Sequence, residues 1–189
     1  GRNWKVLGDA KTSCCPDGDE AKVEELSDGT IVLSSRAQRK RWFNVFTFTN
    51  LDAATGSWGT PAQPDRIMYG DGSPVNGDFY RLRVFHNGTP AEILLQFHTN
   101  ENSERENLTC FWRDITGQTA ATFNTADNWN VGLQIVDGQS CYSSMAIMPD
   151  GYIGLLWEDG TKNSTNEYDI YFNTFTVSQL LKDNSYSPK

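Results

Sequence analysis

Apolar residues along the chain occur in short runs that end at turn-forming residues. Residues 22–26 and 31–35 are two such runs, and Asp28-Gly29 lies between them. The Asp-Gly pair accepts positive φ angles, so this pattern predicts a β-hairpin. Residues 145–157 repeat the plan around Asp150-Gly151 and predict a second hairpin.

Other runs predict further strands and little helix. The predicted strands cover residues 42–49, 80–86, 92–98, 108–112 and 168–177. A short terminal helix is expected over residues 178–182, and no long stretch has the helical period. The chain of 189 residues is therefore predicted to be an all-β protein, with residues 1–189 forming one domain. This pattern is compatible with a sandwich, a barrel or the four-stranded blades of a propeller.

Composition excludes several classes of function. The chain has 16 Lys and Arg against 24 Asp and Glu, a net charge near −8, which argues against a nucleic-acid partner. Its apolar runs are too short for a membrane-spanning helix. The four cysteines and two histidines show no zinc-type spacing, so no metal or other cofactor is expected. One or two disulfides are compatible with the sequence, with their pairing left open.

Hairpin geometry relates residues that are distant in sequence. If the Asp-Gly pairs are the hairpin tips, Glu20 and Arg36 lie at the open end of the first hairpin, one residue out of direct register. Tyr142 and Glu158 have the same relation in the second hairpin. Strict alternation would put such partners on opposite faces of the sheet, unless a bulge or a frayed end intervenes.

These residues resemble motifs of the bacterial sialidase (neuraminidase) family. The segment from Asp19-Glu20 through Ser-Asp-Gly-Thr to Ser-Ser-Arg36 looks like the one carrying the catalytic glutamate and second arginine. The segment from Ser140-Cys-Tyr-Ser-Ser to Leu-Leu-Trp-Glu158 is similar to the one carrying the nucleophilic tyrosine. The resemblance implies catalytic roles for Glu20 and Tyr142, and a supporting role for Glu158, which would hold the first arginine.

Two more site residues follow from the same resemblance. Ser103-Glu-Arg-Glu-Asn-Leu-Thr109 resembles the third-arginine loop, so Arg105 is expected to bind the substrate carboxylate together with Arg36. Asn76 corresponds to an asparagine that lines the substrate, although its surroundings also read as a simple turn. Basic residues of the run 36–41 other than Arg36 are expected on a solvated face.

The residue types suit the chemistry that the resemblance implies. Sialic acid carries a carboxylate on its anomeric carbon, so a neutral phenol approaches with less repulsion than a carboxylate nucleophile. A free tyrosine has a pKa near 10 and needs a nearby base, for which Glu20 is the candidate. Arginine binds a carboxylate bidentately and stays charged. The implied activity is release of terminal sialic acid from sialoglycans with retention of configuration.

The resemblance covers the C-terminal half of the family's catalytic domain. We therefore expect about three to four blades of a six-bladed β-propeller, and a partner that supplies the N-terminal half, the first arginine and the acid/base aspartate. A sialoglycan substrate predicts a secreted or periplasmic location. The alternatives are a sialic-acid-binding propeller without catalysis and, with less support, a structural module that docks proteins. An aspartate loop upstream of Gly1 would favour the enzyme.

Overall fold

A computed structural model describes residues 3–38, 40–64, 75–100, 105–123, 128–161 and 167–189. These residues form twelve β-strands and one short helix. In chain order the elements are β1 (Ala21–Glu25), β2 (Ile31–Ser35), β3 (Trp42–Asn50), β4 (Thr55–Trp58), β5 (Phe79–His86), β6 (Thr89–Thr99), β7 (Leu108–Asp114), β8 (Asn130–Gln134), β9 (Ser140–Ile147), β10 (Ile153–Asp159), β11 (Asp169–Phe175), α1 (Val177–Leu181) and β12 (Tyr186–Pro188). The all-β prediction is confirmed, and none of the described helical residues form a segment suited to crossing a membrane.

The strands form three antiparallel sheets. Their strand orders are β1-β2-β3-β4, then β12-β5-β6-β7-β8, then β11-β10-β9. Strands β4, β8 and β12 were not predicted from the sequence; they are short, and β12 is held by pairing with β5. The predicted terminal helix is present as α1, which begins after a capping box formed by Thr176 and Gln179.

Two apolar clusters stack the sheets on one another. Phe43, Phe79 and Phe111 belong to a cluster between the first sheet and the five-stranded sheet. A second cluster joins the other face of the five-stranded sheet to the third sheet. Strand β6 serves both clusters, because Leu94 faces the first and Leu95 the second. The five-stranded sheet is therefore the middle one of three layers.

Both predicted hairpins are present, but their registers differ from the prediction by one residue. Ala21 pairs with Ser35, which places Glu20 directly opposite Arg36. The cause is the loop: Leu26 N donates to Thr30 O, and three residues with Gly29 at φ 84° connect the strands instead of two. The predicted offset between the two site residues was wrong.

The second hairpin has a three-residue loop as well, and it also contains a β-bulge. Met148 N donates to Tyr152 O around the loop. Trp157 pairs with Ser143, whereas Asp159 pairs with Ser140, so the register shifts between them. Two β9 residues consequently lie opposite the single β10 residue Glu158.

Candidate active site

The first part of the site is the open end of the β1–β2 hairpin. Arg36 N donates to Glu20 O at 2.9 Å, so the backbone pairing continues one step beyond the strands. The Arg36 Nη1 atom donates to Glu20 Oε2 at 2.7 Å. Asp19 lies farther out, with Oδ2 4.0 Å from Arg36 Nε. The structure thus brings together the predicted base and the predicted carboxylate-binding arginine.

The second hairpin contributes to the same region. The pKa of Arg36 is raised, first by the hydrogen bond to Glu20 and further by the electrostatic influence of Tyr142, against the effect of burial. Tyr142 therefore lies close to Arg36. Tyr142 is only partly buried, so it is not packed in the apolar interior.

The β-bulge determines how Tyr142 is presented. Cys141 and Tyr142 both lie opposite Glu158, and Tyr142 N donates to Glu158 Oε2 at 3.1 Å. Cys141 is buried, with 2% of its surface exposed, whereas its neighbour is partly exposed. The bulge that the sequence analysis named as a remedy for the register is therefore present, and it accommodates both side chains.

Arg105 completes the cluster just before β7. Its Cζ atom lies 5.5 Å from the centroid of the Tyr142 ring, and its Nη1 donates to Cys141 Sγ at 3.0 Å. Burial by itself lowers the pKa of Arg105, but Cys141 and Tyr142 raise it above the ordinary value, with Arg36 opposing. The two guanidinium groups are thus near enough to repel each other. Residues 103 and 104 of the predicted loop lie outside the described residues.

The described contacts of Glu158 are made within its own sheet. Its partners within the described residues are the Tyr142 amide and the Cys141 thiol. An arginine-holding role for Glu158 stays a prediction, because the arginine in question is not one of the residues in this cluster.

Asn76 lies in the segment before β5, and it has no hydrogen bond to the other predicted site residues described here. Its Oδ1 atom is buried and has no partner within the part of the chain that the structure describes. Gly77 adopts φ 66°, and a Cβ atom there would come within 2.5 Å of Phe97 O, so only glycine fits this close approach. Asp78 continues the segment and accepts a hydrogen bond from Met145 N of β9.

Sequence reasoning missed Arg41, which was expected on a solvated face. It is fully buried; its Nε donates to Ser34 Oγ at 2.8 Å and its Nη1 to Val75 O at 3.1 Å. Burial lowers the pKa of Arg41 to about 9, and Glu20 and Arg36 influence it in opposite directions. Arg41 therefore adds a third positive charge beneath the site. Only the start of β3 at the next residue gave a local signal for its burial.

Cys141 was also missed as a functional neighbour. Its position directly before Tyr142 was the signal in the sequence that it lies at the site. Its contacts could not be predicted, because they depend on the bulge. All four cysteines are free thiols.

Known proteins are similar to this chain in sequence and in fold. No family model matches the chain. A sialidase from Micromonospora viridifaciens is 29% identical over 166 residues, which are 85% of this chain and 22% of that protein. The intramolecular trans-sialidase from Ruminococcus gnavus, solved in complex with oseltamivir carboxylate, matches with a TM-score of 0.65 at 20% identity. That match covers 96% of this chain and 37% of the solved one.

The chain therefore spans well under half the length of either relative. The resemblance to bacterial sialidases is confirmed, in sequence by the first and in fold by the second. The three stacked sheets are part of a sialidase-type β-propeller, as predicted.

Proposed function

From the resemblance to bacterial sialidases, we propose that this chain carries part of the active site of a retaining exo-sialidase, which releases terminal sialic acid from sialoglycoconjugates. The observation that carries the proposal is the convergence of Glu20, Arg36, Arg105 and Tyr142 from four separate positions in the chain. A structural module would have no need for a partly exposed phenol beside two guanidinium groups.

Arg36 and Arg105 bind the carboxylate of the substrate in this proposal. A guanidinium group presents its N–H donors as a planar fork that matches a carboxylate. The two groups repel each other in the free site, because the positive charge of Arg36 acts to lower the pKa of Arg105. A bound carboxylate relieves that repulsion, so the site favours an anionic sugar over a neutral one.

Tyr142 acts as the nucleophile and Glu20 as its base. Glu20 accepts the phenolic proton, and the phenol oxygen forms a bond to the anomeric carbon while the bond to the aglycone oxygen breaks. An acid from outside this chain protonates the leaving oxygen. Water then displaces Tyr142 from the covalent sugar–enzyme intermediate, and the phenol regains its proton. Two displacements at the same carbon retain its configuration.

A companion segment, the N-terminal half of the same enzyme, supplies the acid/base aspartate and the first arginine in this proposal. The support in the structure is an apolar face on the third sheet. Leu156, Ile170 and Phe172 are 42%, 59% and 61% exposed, and Leu156 pairs directly with Phe172. Glu158 lies on β10 at the same sheet, where it would meet the first arginine. Sialoglycans are extracellular substrates, so we also propose a secreted or periplasmic location.

The decisive experiment replaces Tyr142 with Phe in the assembled enzyme. Tyr142→Phe removes one oxygen atom and is expected to abolish normal turnover of a fluorogenic sialoside. Tyr152→Phe, directly after the loop of the same hairpin, is the matched control and should retain activity. Undiminished turnover by Tyr142→Phe would refute the assignment.

The same assay distinguishes the second candidate, a sialic-acid-binding propeller without catalysis. Wild-type protein that binds a sialoside but never turns it over, with both halves present, would favour that function. The arginine cluster supports binding in either case, so the Tyr142→Phe comparison and a binding measurement are needed together.

A further inference from the structure

The Cys141 side chain lies between two groups of the candidate site. Its Sγ atom accepts a hydrogen bond from Arg105 Nη1 at 3.0 Å. The Glu158 carboxylate belongs to the residue opposite Cys141 across the β-bulge, and it is within hydrogen-bonding reach of the thiol. The bulge that presents Tyr142 turns Cys141 into the protein, where 2% of its surface is exposed. The thiol therefore connects a guanidinium group and a carboxylate that have no other described link.

The environment of Cys141 excludes more familiar roles for a cysteine. It forms no disulfide. Burial raises the pKa of the thiol to about 11, with Glu158 adding to the effect and Arg105 opposing it. At neutral pH the sulfur therefore keeps its proton, and a buried thiol is a poor nucleophile. What remains is its capacity to accept one hydrogen bond and donate another.

Arg105 needs such an anchor. Among the described residues its buried Nε atom has no partner, and the cation–π contact with Tyr142 at 5.5 Å does not fix the plane of the guanidinium group. The backbone is fixed, because Ser140 N donates to Arg105 O at 2.8 Å. The hydrogen bond to Cys141 is thus the contact that orients the head of the side chain.

We propose that Cys141 is a positioning residue, whose thiol joins Arg105 to Glu158 and so holds the Arg105 guanidinium in the plane required for the substrate carboxylate. This inference rests on the proposed function, since it assigns Arg105 to that carboxylate. An arginine without its anchor must give up rotamer freedom on binding, so removal of the thiol weakens binding of a carboxylate ligand by roughly tenfold.

The test is a binding titration in the assembled protein, on a Tyr142→Phe background that prevents turnover. The two ligands are a methyl α-sialoside and its counterpart in which the carboxylate is reduced to an alcohol. Cys141→Ala is expected to raise the Kd of the sialoside about tenfold and that of the alcohol less than about twofold. Cys141→Ser, which keeps one donor and one acceptor, should bind the sialoside within about threefold of the parent.

Cys110→Ala is the matched control for the loss of a buried thiol. Cys110 is fully buried in β7 and belongs to the core cluster between two sheets. Cys110→Ala should therefore lower the thermal midpoint without weakening the binding of the sialoside more than that of the alcohol. Three results would overturn the inference: unchanged sialoside binding in Cys141→Ala, an equal loss for both ligands, or no rescue by serine. A parent protein that binds neither ligand would instead overturn the proposed function.

Discussion

Replacement of Glu20 by Gln separates the chemical role of this residue from its structural one. Glutamine keeps the size of the side chain and an oxygen that accepts from Arg36 Nη1, which is 2.7 Å from Glu20 Oε2. It cannot accept the proton of a phenol. The substitution therefore preserves the local geometry and removes the proposed base.

The expected effects differ greatly in size. The Arg36 side chain is 20% exposed and that of Glu20 40% exposed, so their ion pair is partly screened by water. Such pairs contribute only about 0–1 kcal/mol to stability. General-base catalysis contributes about 10²–10⁴-fold to a rate. Glu20→Gln should thus lower kcat by about two to four orders of magnitude and change the free energy of unfolding by less than about 1 kcal/mol.

The assay is steady-state hydrolysis of a fluorogenic sialoside, paired with urea unfolding of each variant. Asp19→Asn is the control, because Asp19 is the adjacent carboxylate and lies 4.0 Å from the same arginine, but its side chain is 68% exposed. It should keep activity within about threefold. The reasoning fails if Glu20→Gln retains more than about a tenth of the kcat, or if both variants lose activity equally.

Two further predictions concern stability and assembly. Burial, with a contribution from Arg41, lowers the pKa of His98 to about 3. In the unfolded chain this histidine takes up a proton near pH 6.5, whereas the folded chain does so only near pH 3. The free energy of unfolding therefore falls as the pH drops from 6.5 toward 3, by up to about 1.4 kcal/mol per pH unit. His98→Gln should make the urea midpoint less dependent on pH between pH 6 and 4, and an unchanged pH dependence would contradict this. Phe172→Asp should prevent association with the companion segment, as measured by gel filtration. Asn173→Asp, on the opposite face of β11, is the control and should not prevent it. An active species whose only mass is 21.2 kDa would exclude the companion.

Local signals were enough to predict the hairpins, because alternation and Asp-Gly turns act over a few residues. They did not give the register, since two-residue and three-residue loops share the same turn residues, and the difference of one residue decides whether Glu20 faces Arg36. From the sequence a bulge was one of two ways to reconcile the register, and its place at Glu158 could not be predicted because it depends on how β9 and β10 pair.

Burial of Arg41 shows a second limit of the sequence. Its partners are a β2 hydroxyl and the carbonyl of Val75, and the second of these lies 34 residues away. A basic run is solvated unless distant segments close over it, and no local pattern reports such closure. The short strand β12 was missed for the same reason, since it is held by the distant pairing of Tyr186 with His86 of β5.

Net charge is a poor guide to this site because charge acts locally. The chain carries a net charge near −8, yet among the described residues two of the three clustered arginines have only uncharged direct partners: Arg41 a hydroxyl and a carbonyl, Arg105 a thiol that burial keeps protonated. Low surrounding polarity strengthens the field of such unneutralised charges. An anion that enters beside Arg105 is therefore attracted by positive charges that no described group of the free site neutralises directly. The repulsion from distant surface carboxylates is weak, because water and salt screen it. An acidic protein can thus select an acidic sugar.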